Sequence, residues 1–252
     1  MTDIEPPQGS VRPKLIAVYL DETKKLQDVG QSVVFAGCAA ASEDWDEFIR
    51  RWRVVIGPIR ALKMTSALVF RGEFYGWKDR EGERDELLYN LAVVIHEAPI
   101  LKISAPILAG EFESLPQSQR RKLKDPQYCE FETCVRGIIN RHPNDVFQIN
   151  CDLTYDYAEG CVAIFNKLRD RHPELQDRLV GIAFGNDKFV PPLQAADMIA
   201  YCARAIAEEE RFGVRAAAIV HRISDLFESR GSQRSYFSYR AGGDGLGSAD
   251  AE

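Results

Sequence analysis

The chain has 252 residues, 45% hydrophobic and 10% aromatic, enough apolar content to build a core, so disorder over the whole length is excluded. At about 150 residues per domain, that length predicts one large domain or two small ones. Its 32 Lys and Arg against 38 Asp and Glu leave a formal charge of −6, which excludes a uniformly basic nucleic-acid coat but not local patches.

Leu15 to Leu20 is a short apolar run that predicts a first strand stopping at Asp21-Glu22. After a polar loop to about Gly30, Ser32 to Ala41 predicts a second strand, and the short connection implies an antiparallel hairpin. Ser42 fits an N-cap, and Trp45, Phe48, Ile49, Trp52, Val55 and Ile56 recur at helical spacing up to the Gly57-Pro58 break. Lys63 to Arg80 is irregular and predicts loops with room for a short strand. Arg84 to Glu97 is again helical, ended by Pro99, and Ile100 to Leu108 is a third strand. A basic loop (Arg120, Arg121, Lys122, Lys124) leads to Asp125-Pro126, an N-cap followed by proline, and the helix they start ends near His142-Pro143. Val146 to Leu153 is a fourth strand, Ala158 to Arg171 a helix, Leu179 to Phe184 a fifth strand, and Leu193 to Glu209 and Val214 to Phe227 are helices. This order predicts an α/β fold: a mixed five-stranded sheet flanked by helices, with a helical insertion at about 42–98 after strand 2. A single domain is expected over 15–229, with flexible ends at 1–14 and 230–252.

No apolar run approaches the roughly 20 residues of a membrane span, and the acidic, proline-bearing start does not read as a signal peptide, so a cytoplasmic protein is expected. The six cysteines stand singly in apolar stretches and read as buried free thiols. His142 and His172 each lie in Arg-His-Pro at a helix end and read as caps.

Ligands of open α/β sheets bind beyond the carboxyl ends of strands, so acids there carry the functional reading. Asp21 follows the first strand on the face of Ala17 and Tyr19; Asp152 closes the fourth on the face of Gln148 and Asn150. In the almost wholly small or apolar helix Leu193 to Ala207, Asp197 is a buried carboxylate that needs a partner. Gln194 and Tyr201 are placed to orient it, and a contact with Arg204 is the structural alternative. Three converging carboxylates would repel unless Mg²⁺ or Mn²⁺ neutralises them, and such a site suits in-line phosphoryl displacement. Nothing reads as a nucleophilic triad or a phosphate-cradling glycine loop.

Tyr19-Leu20-Asp21-Glu22-Thr23 and Leu193-Gln194-Ala195-Ala196-Asp197-Met198-Ile199-Ala200, with Gly72-Glu73-Phe74-Tyr75-Gly76-Trp77 between them, resemble the motifs of the bacterial domain-of-unknown-function family 3800. The resemblance spans about residues 15–208; Thr23-Lys24 stands where that family has Ser-Gly. It implies a ribonuclease-H-like fold and a metal-dependent nuclease with Asp21, Asp152 and Asp197 as metal ligands, Glu22 among the catalytic acids, and a defence or mobile-element setting. It also implies a fourth carboxylate, for which Glu130, Glu132, Glu22, Glu73 and Asp156 all remain candidates.

Six basic residues and no acidic one lie between Phe48 and Gly72: Arg50, Arg51, Arg53, Arg60, Lys63 and Arg71, near Trp52, Phe74, Tyr75 and Trp77. Arg50, Arg53, Lys63, Arg71 and Trp77 are thus the candidate nucleic-acid contacts, through phosphate pairing and base stacking, unless Trp52 is core and the arginines a solvated face. The competing functions are a Mg²⁺- or Mn²⁺-dependent nuclease, a non-catalytic nucleic-acid or protein-binding module, and a small-nucleotide phosphoesterase. Homo-oligomerisation or a defence-system partner stays open.

Overall fold

β1 (Leu15–Thr23) carries Asp21, Glu22 and Thr23 inside the sheet instead of beyond it, because its pairing with β2 (Ser32–Ala41) runs on to Thr23 opposite Val34. The computed structural model describes residues 12–23, 32–108, 114, 116–123, 126–153 and 155–229. The expected flexible ends, apart from residues 12–14, lie outside that range, as do Lys24, Lys124 and the Asp125 cap. β1, β2, β3 (Leu101–Leu108), β4 (Val146–Asp152) and β5 (Leu179–Gly185) form a mixed sheet in the order β3-β2-β1-β4-β5. β1–β2 and β2–β3 are antiparallel; β1–β4 and β4–β5 are parallel.

Helices cover both faces. Ile16, Val18 and Leu20 of β1, with Phe35, Ala39, Ile103, Phe147 and Ile149, pack against α5 (Pro126–Arg141), α6 (Tyr155–Arg171) and the short α7 (Pro173–Gln176). The alternate residues Ala17, Val34, Ala36, Cys38 and Ala40 pack against α1 (Asp44–Ile56), α2 (Met64–Leu68), α3 (Glu81–Glu97), α8 (Pro191–Phe212) and α9 (Ala218–Glu228). Period-2 alternation thus assigns every odd-numbered β1 residue, Asp21 included, to the α8 side. Along β4 it buries Phe147, Ile149 and Cys151 and leaves Gln148, Asn150 and Asp152 partly open.

The helical insertion lies between β2 and β3 as expected, and Trp52 is wholly buried in its core. Lys63–Arg80 holds no strand: its extended Lys63 leads into α2, followed by a 3₁₀ helix (Gly72–Trp77). Ser42 does not cap α1; its backbone N–H and its hydroxyl both donate to Leu15 O, tying the end of β2 to the start of β1. The expected basic loop at 120–124 is helical up to Leu123, in α4 (Gln117–Leu123). His142 and His172 sit beyond the C-terminal ends of α5 and α6, paired with Asp145 and Glu174 respectively. Gly37 is required where β2 passes β1: a Cβ there would fall 1.9 Å from Tyr19 O, two residues before Asp21. Among the described residues no helix is long and apolar enough to cross a membrane.

Candidate functional site

Parallel pairing brings the carboxyl ends of β1, β4 and β5 side by side. Leu20 is in register with Cys151, so Asp21 and Asp152 follow as neighbours, and Asp152 faces Gly185 at the end of β5. Two residues past β5, the Asp187 N–H donates to Asp152 Oδ1 at 3.2 Å, which holds that turn against the β4 end. α8 then begins at Pro191-Pro192, prolines suited to a first helical turn, and runs under β1 and β2 with Ala195 and Ala196 allowing close approach. One turn on, it presents Asp197 at the same place.

The cation at the centre is Lys63. Its Nζ lies 3.6 Å from Asp21 Oδ2, 3.5 Å from Asp152 Oδ2, 2.9 Å from Asp187 Oδ2 and 3.2 Å from Asp197 Oδ1. The backbone on either side is pinned to α8. Leu62 N–H donates to Gln194 Oε1 at 3.2 Å and Met64 N–H to Asp197 Oδ2 at 2.7 Å. Leu62 and Met64 are fully buried, and the extended backbone at Lys63 (φ −135°, ψ 111°) turns its side chain away from them, into the carboxylates. Gln194 also accepts from Trp52 Nε1 at 3.0 Å and donates from Nε2 to Asp187 O at 2.9 Å, so one amide ties α1, the Lys63 segment and the Asp187 turn together.

Burial pushes the Asp21 carboxyl well above its ordinary value; repulsion from Asp197 and Asp152 adds to this, while Lys63 and the Glu22 N–H work against it. Burial also raises Asp197, against the pull of Lys63 and the Met64 N–H. Burial opposes the charge on Lys63, but Asp197, Asp21 and Asp187 outweigh it and hold the ammonium well above its ordinary range. One ammonium among four carboxylates leaves three formal negative charges uncompensated.

Among the described residues no group of three or more His, Cys, Asp or Glu is spaced to hold a metal ion as it stands. The 2.9–3.6 Å contacts are those of an ammonium shell, whereas Mg²⁺ takes oxygen ligands at about 2.0–2.1 Å. The donor chemistry nevertheless fits a hard divalent cation. All four groups are carboxylates, and Asp21 Oδ2, buried in a residue only 2% exposed, has no hydrogen-bond partner.

Of the residues singled out in the sequence, Asp21, Asp152, Asp197 and Lys63 converge, the last as the acids' counter-ion instead of a surface contact. Gln194 orients the site through Leu62 and Asp187. Tyr201 and Arg204 do not serve Asp197: Arg204 stacks on Tyr201 and pairs with Glu208. Glu22 alternates to the opposite face, where its charge adds to the burial that raises the Cys161 thiol. Glu130 is buried on α5, where its charge adds to the burial that raises the Cys134 thiol; Glu132 pairs with Arg136; Glu73 is exposed on the 3₁₀ helix. The Asp156 side chain lies outside what is described. A fourth carboxylate on Lys63 comes from Asp187, which the sequence reading missed. The rule that singled out Asp21 and Asp152 applies equally to the end of β5 and would have found it.

The basic residues of the insertion divide. Arg50 is paired with Glu47 and Arg51 with Glu97, while Arg53, Arg60 and Arg71 are exposed. Trp77 packs on Phe74 and under Arg80, and Tyr75 is 81% exposed. No family model matches the chain, and no match is found among curated proteins.

Proposed function

We propose that the chain is a cytoplasmic, ribonuclease-H-like nuclease that uses Mg²⁺ or Mn²⁺ held by Asp21, Asp152 and Asp197, with Asp187, to hydrolyse phosphodiester bonds. The observation that carries this reading is the convergence of four aspartates from β1, β4, the turn after β5 and α8 on one point at the carboxyl ends of parallel strands. The antiparallel β1–β2–β3 and parallel β1–β4–β5 pairings support the fold, and the family resemblance of the opening and closing motifs agrees with it. When bound, the divalent cation supplies Lewis-acid stabilisation of charge on the phosphodiester and makes water acidic enough to attack near neutral pH. The chain's own part is to aim oxygens: the Glu22, Met64 and Asp187 amides each fix one carboxylate, and burial keeps bulk water from screening them. Arg53, Arg60 and Arg71, with the exposed Tyr75 ring, offer phosphate and base contacts on the neighbouring insertion.

Purified protein is expected to cleave at least one of DNA, RNA or hybrid with Mg²⁺ or Mn²⁺, and Asp197→Asn to abolish the cleavage. Intact substrates across the panel, together with no measurable Mn²⁺ binding, would sink the reading. The ammonium at the centre of the site favours a second one, a nucleic-acid-binding module without catalysis. That reading predicts salt-sensitive binding that survives alanine at Asp21, Asp152 and Asp197 together.

A further inference from the structure

Lys63 is in contact with every acid of the site, yet it cannot satisfy them. An ammonium has three donors, and four carboxylates from four segments surround this one. The shortfall falls on Asp21 Oδ2, the most distant of the four oxygens at 3.6 Å, buried and without a hydrogen bond. Exposure sets Lys63 apart from the acids. The Lys63 side chain is 40% exposed, against 3%, 14%, 13% and 10% for Asp21, Asp152, Asp187 and Asp197, so the lysine lies between the acids and solvent. Its backbone is fixed by Leu62 N–H on Gln194 and Met64 N–H on Asp197, whereas its flexible four-carbon stem is partly open to water.

We propose that Lys63 is a tethered counter-ion that a divalent cation displaces. In the metal-free protein its ammonium gathers the four carboxylates; as the dication enters, the ammonium swings out to solvent while the backbone at Leu62 and Met64 stays in place. Lys63 is therefore a positioning residue that sets how tightly the site takes its metal. The inference rests on the metal reading above and goes beyond it.

The test titrates the full chain with Mn²⁺ alone, at low ionic strength, by isothermal calorimetry and by the Mn²⁺-induced rise in Tm, for the wild type, Lys63→Gln and Lys63→Arg. Removing the competing charge is expected to lower the Mn²⁺ Kd at least tenfold in Lys63→Gln and to enlarge its Tm rise. Lys63→Arg, which keeps the charge, is expected to bind no tighter than wild type. Equal or weaker binding by Lys63→Gln, with wild type binding, overturns the displacement and leaves the metal reading standing. No binding by either protein overturns the metal reading and the displacement with it. Should Lys63→Gln be unfolded without metal, refolding in excess Mn²⁺ is expected to restore its far-UV circular dichroism, and failure to do so overturns the inference.

Discussion

Gln194 gives the sharpest test of how the site is assembled, because one side chain serves three partners, two of them on fully buried residues. Replacing it with Met keeps the volume close, so no large cavity opens, but removes all three hydrogen bonds. The Trp52 indole N–H and the Leu62 N–H, both on fully buried residues, lose their acceptor, and Asp187 O loses its donor. A buried polar group left unpaired costs about 1–3 kcal/mol, so the two on buried residues cost at least about 2 kcal/mol, the half-buried Asp187 carbonyl being able to turn to water. For a chain of this length each kcal/mol lowers Tm by about 2–4 °C, which predicts a fall of at least roughly 4–8 °C for Gln194→Met in metal-free protein. Differential scanning calorimetry and urea denaturation measure it, with the urea midpoint shifted and the slope unchanged. Because Leu62 and Asp187 flank the Lys63 contacts, the same variant is expected to bind Mn²⁺ more weakly than wild type. A loss below about 1 kcal/mol, or unchanged Mn²⁺ affinity, refutes the view that this amide builds the site.

Asp21→Asn tests the electrostatics through pH. A carboxyl raised in the folded state contributes stability that is fully present below its unfolded value and is lost as pH rises through the folded one. Since burial raises Asp21, metal-free wild type is expected to lose stability relative to Asp21→Asn as pH climbs above the ordinary carboxylate value of 3.8, and Tm curves that stay parallel from pH 4 to pH 8 would contradict this. Gly37→Ala is expected to cost about 3 kcal/mol in chemical denaturation, because its Cβ would overlap Tyr19 O and β1 would have to shift. Retained stability would show the β1–β2 approach to be slack. Burial pushes the thiols of Cys38, Cys134, Cys151 and Cys202 far up, so an aromatic disulfide reagent is expected to label the partly exposed Cys129 first and these four only on unfolding. Prompt labelling of any of the four would contradict their burial.

The elements with one clear period were legible in the sequence. Phe147, Ile149 and Cys151 alternate with Gln148, Asn150 and Asp152, and that pattern alone placed Asp152 on the open face. Asp197 was found because a carboxylate in a helix of alanines and large apolar residues has to be explained by something outside the helix. Lys63 could not be found this way. It is one of six basic residues between Phe48 and Gly72, and what separates it from Arg60 or Arg71 is that the backbone N–H groups on either side of it, of Leu62 and Met64, donate to Gln194 and Asp197, more than 130 positions away. The length of β1 was underread for a similar reason. Asp21 and Glu22 are poor strand formers by composition, and cross-strand pairing to Ala36 and Phe35 overrides that preference and carries the strand on to Thr23 opposite Val34.

The number of acids argues for a role beyond the fold. A structural ion pair needs one carboxylate for one buried ammonium, and replacing such a pair by apolar residues is often neutral or stabilising. Here four aspartates meet a single lysine. Two of them are pushed toward neutrality by burial, and three accept a backbone N–H that fixes where the carboxylate sits. Each amide costs nothing if the carboxylate stays, but together they hold in place a repulsion that one lysine relieves only in part. A core position occupied for stability alone would carry Asn or an apolar residue at Asp21, whose Oδ2 gains no hydrogen bond at all. On the proposed metal reading, the arrangement becomes favourable when a cation with more charge and more ligand positions than an ammonium enters it. Stability measured with and without Mn²⁺ is therefore expected to show the site as a liability in the absence of metal and a brace in its presence, with the sign of the Asp21→Asn effect reversing between the two conditions.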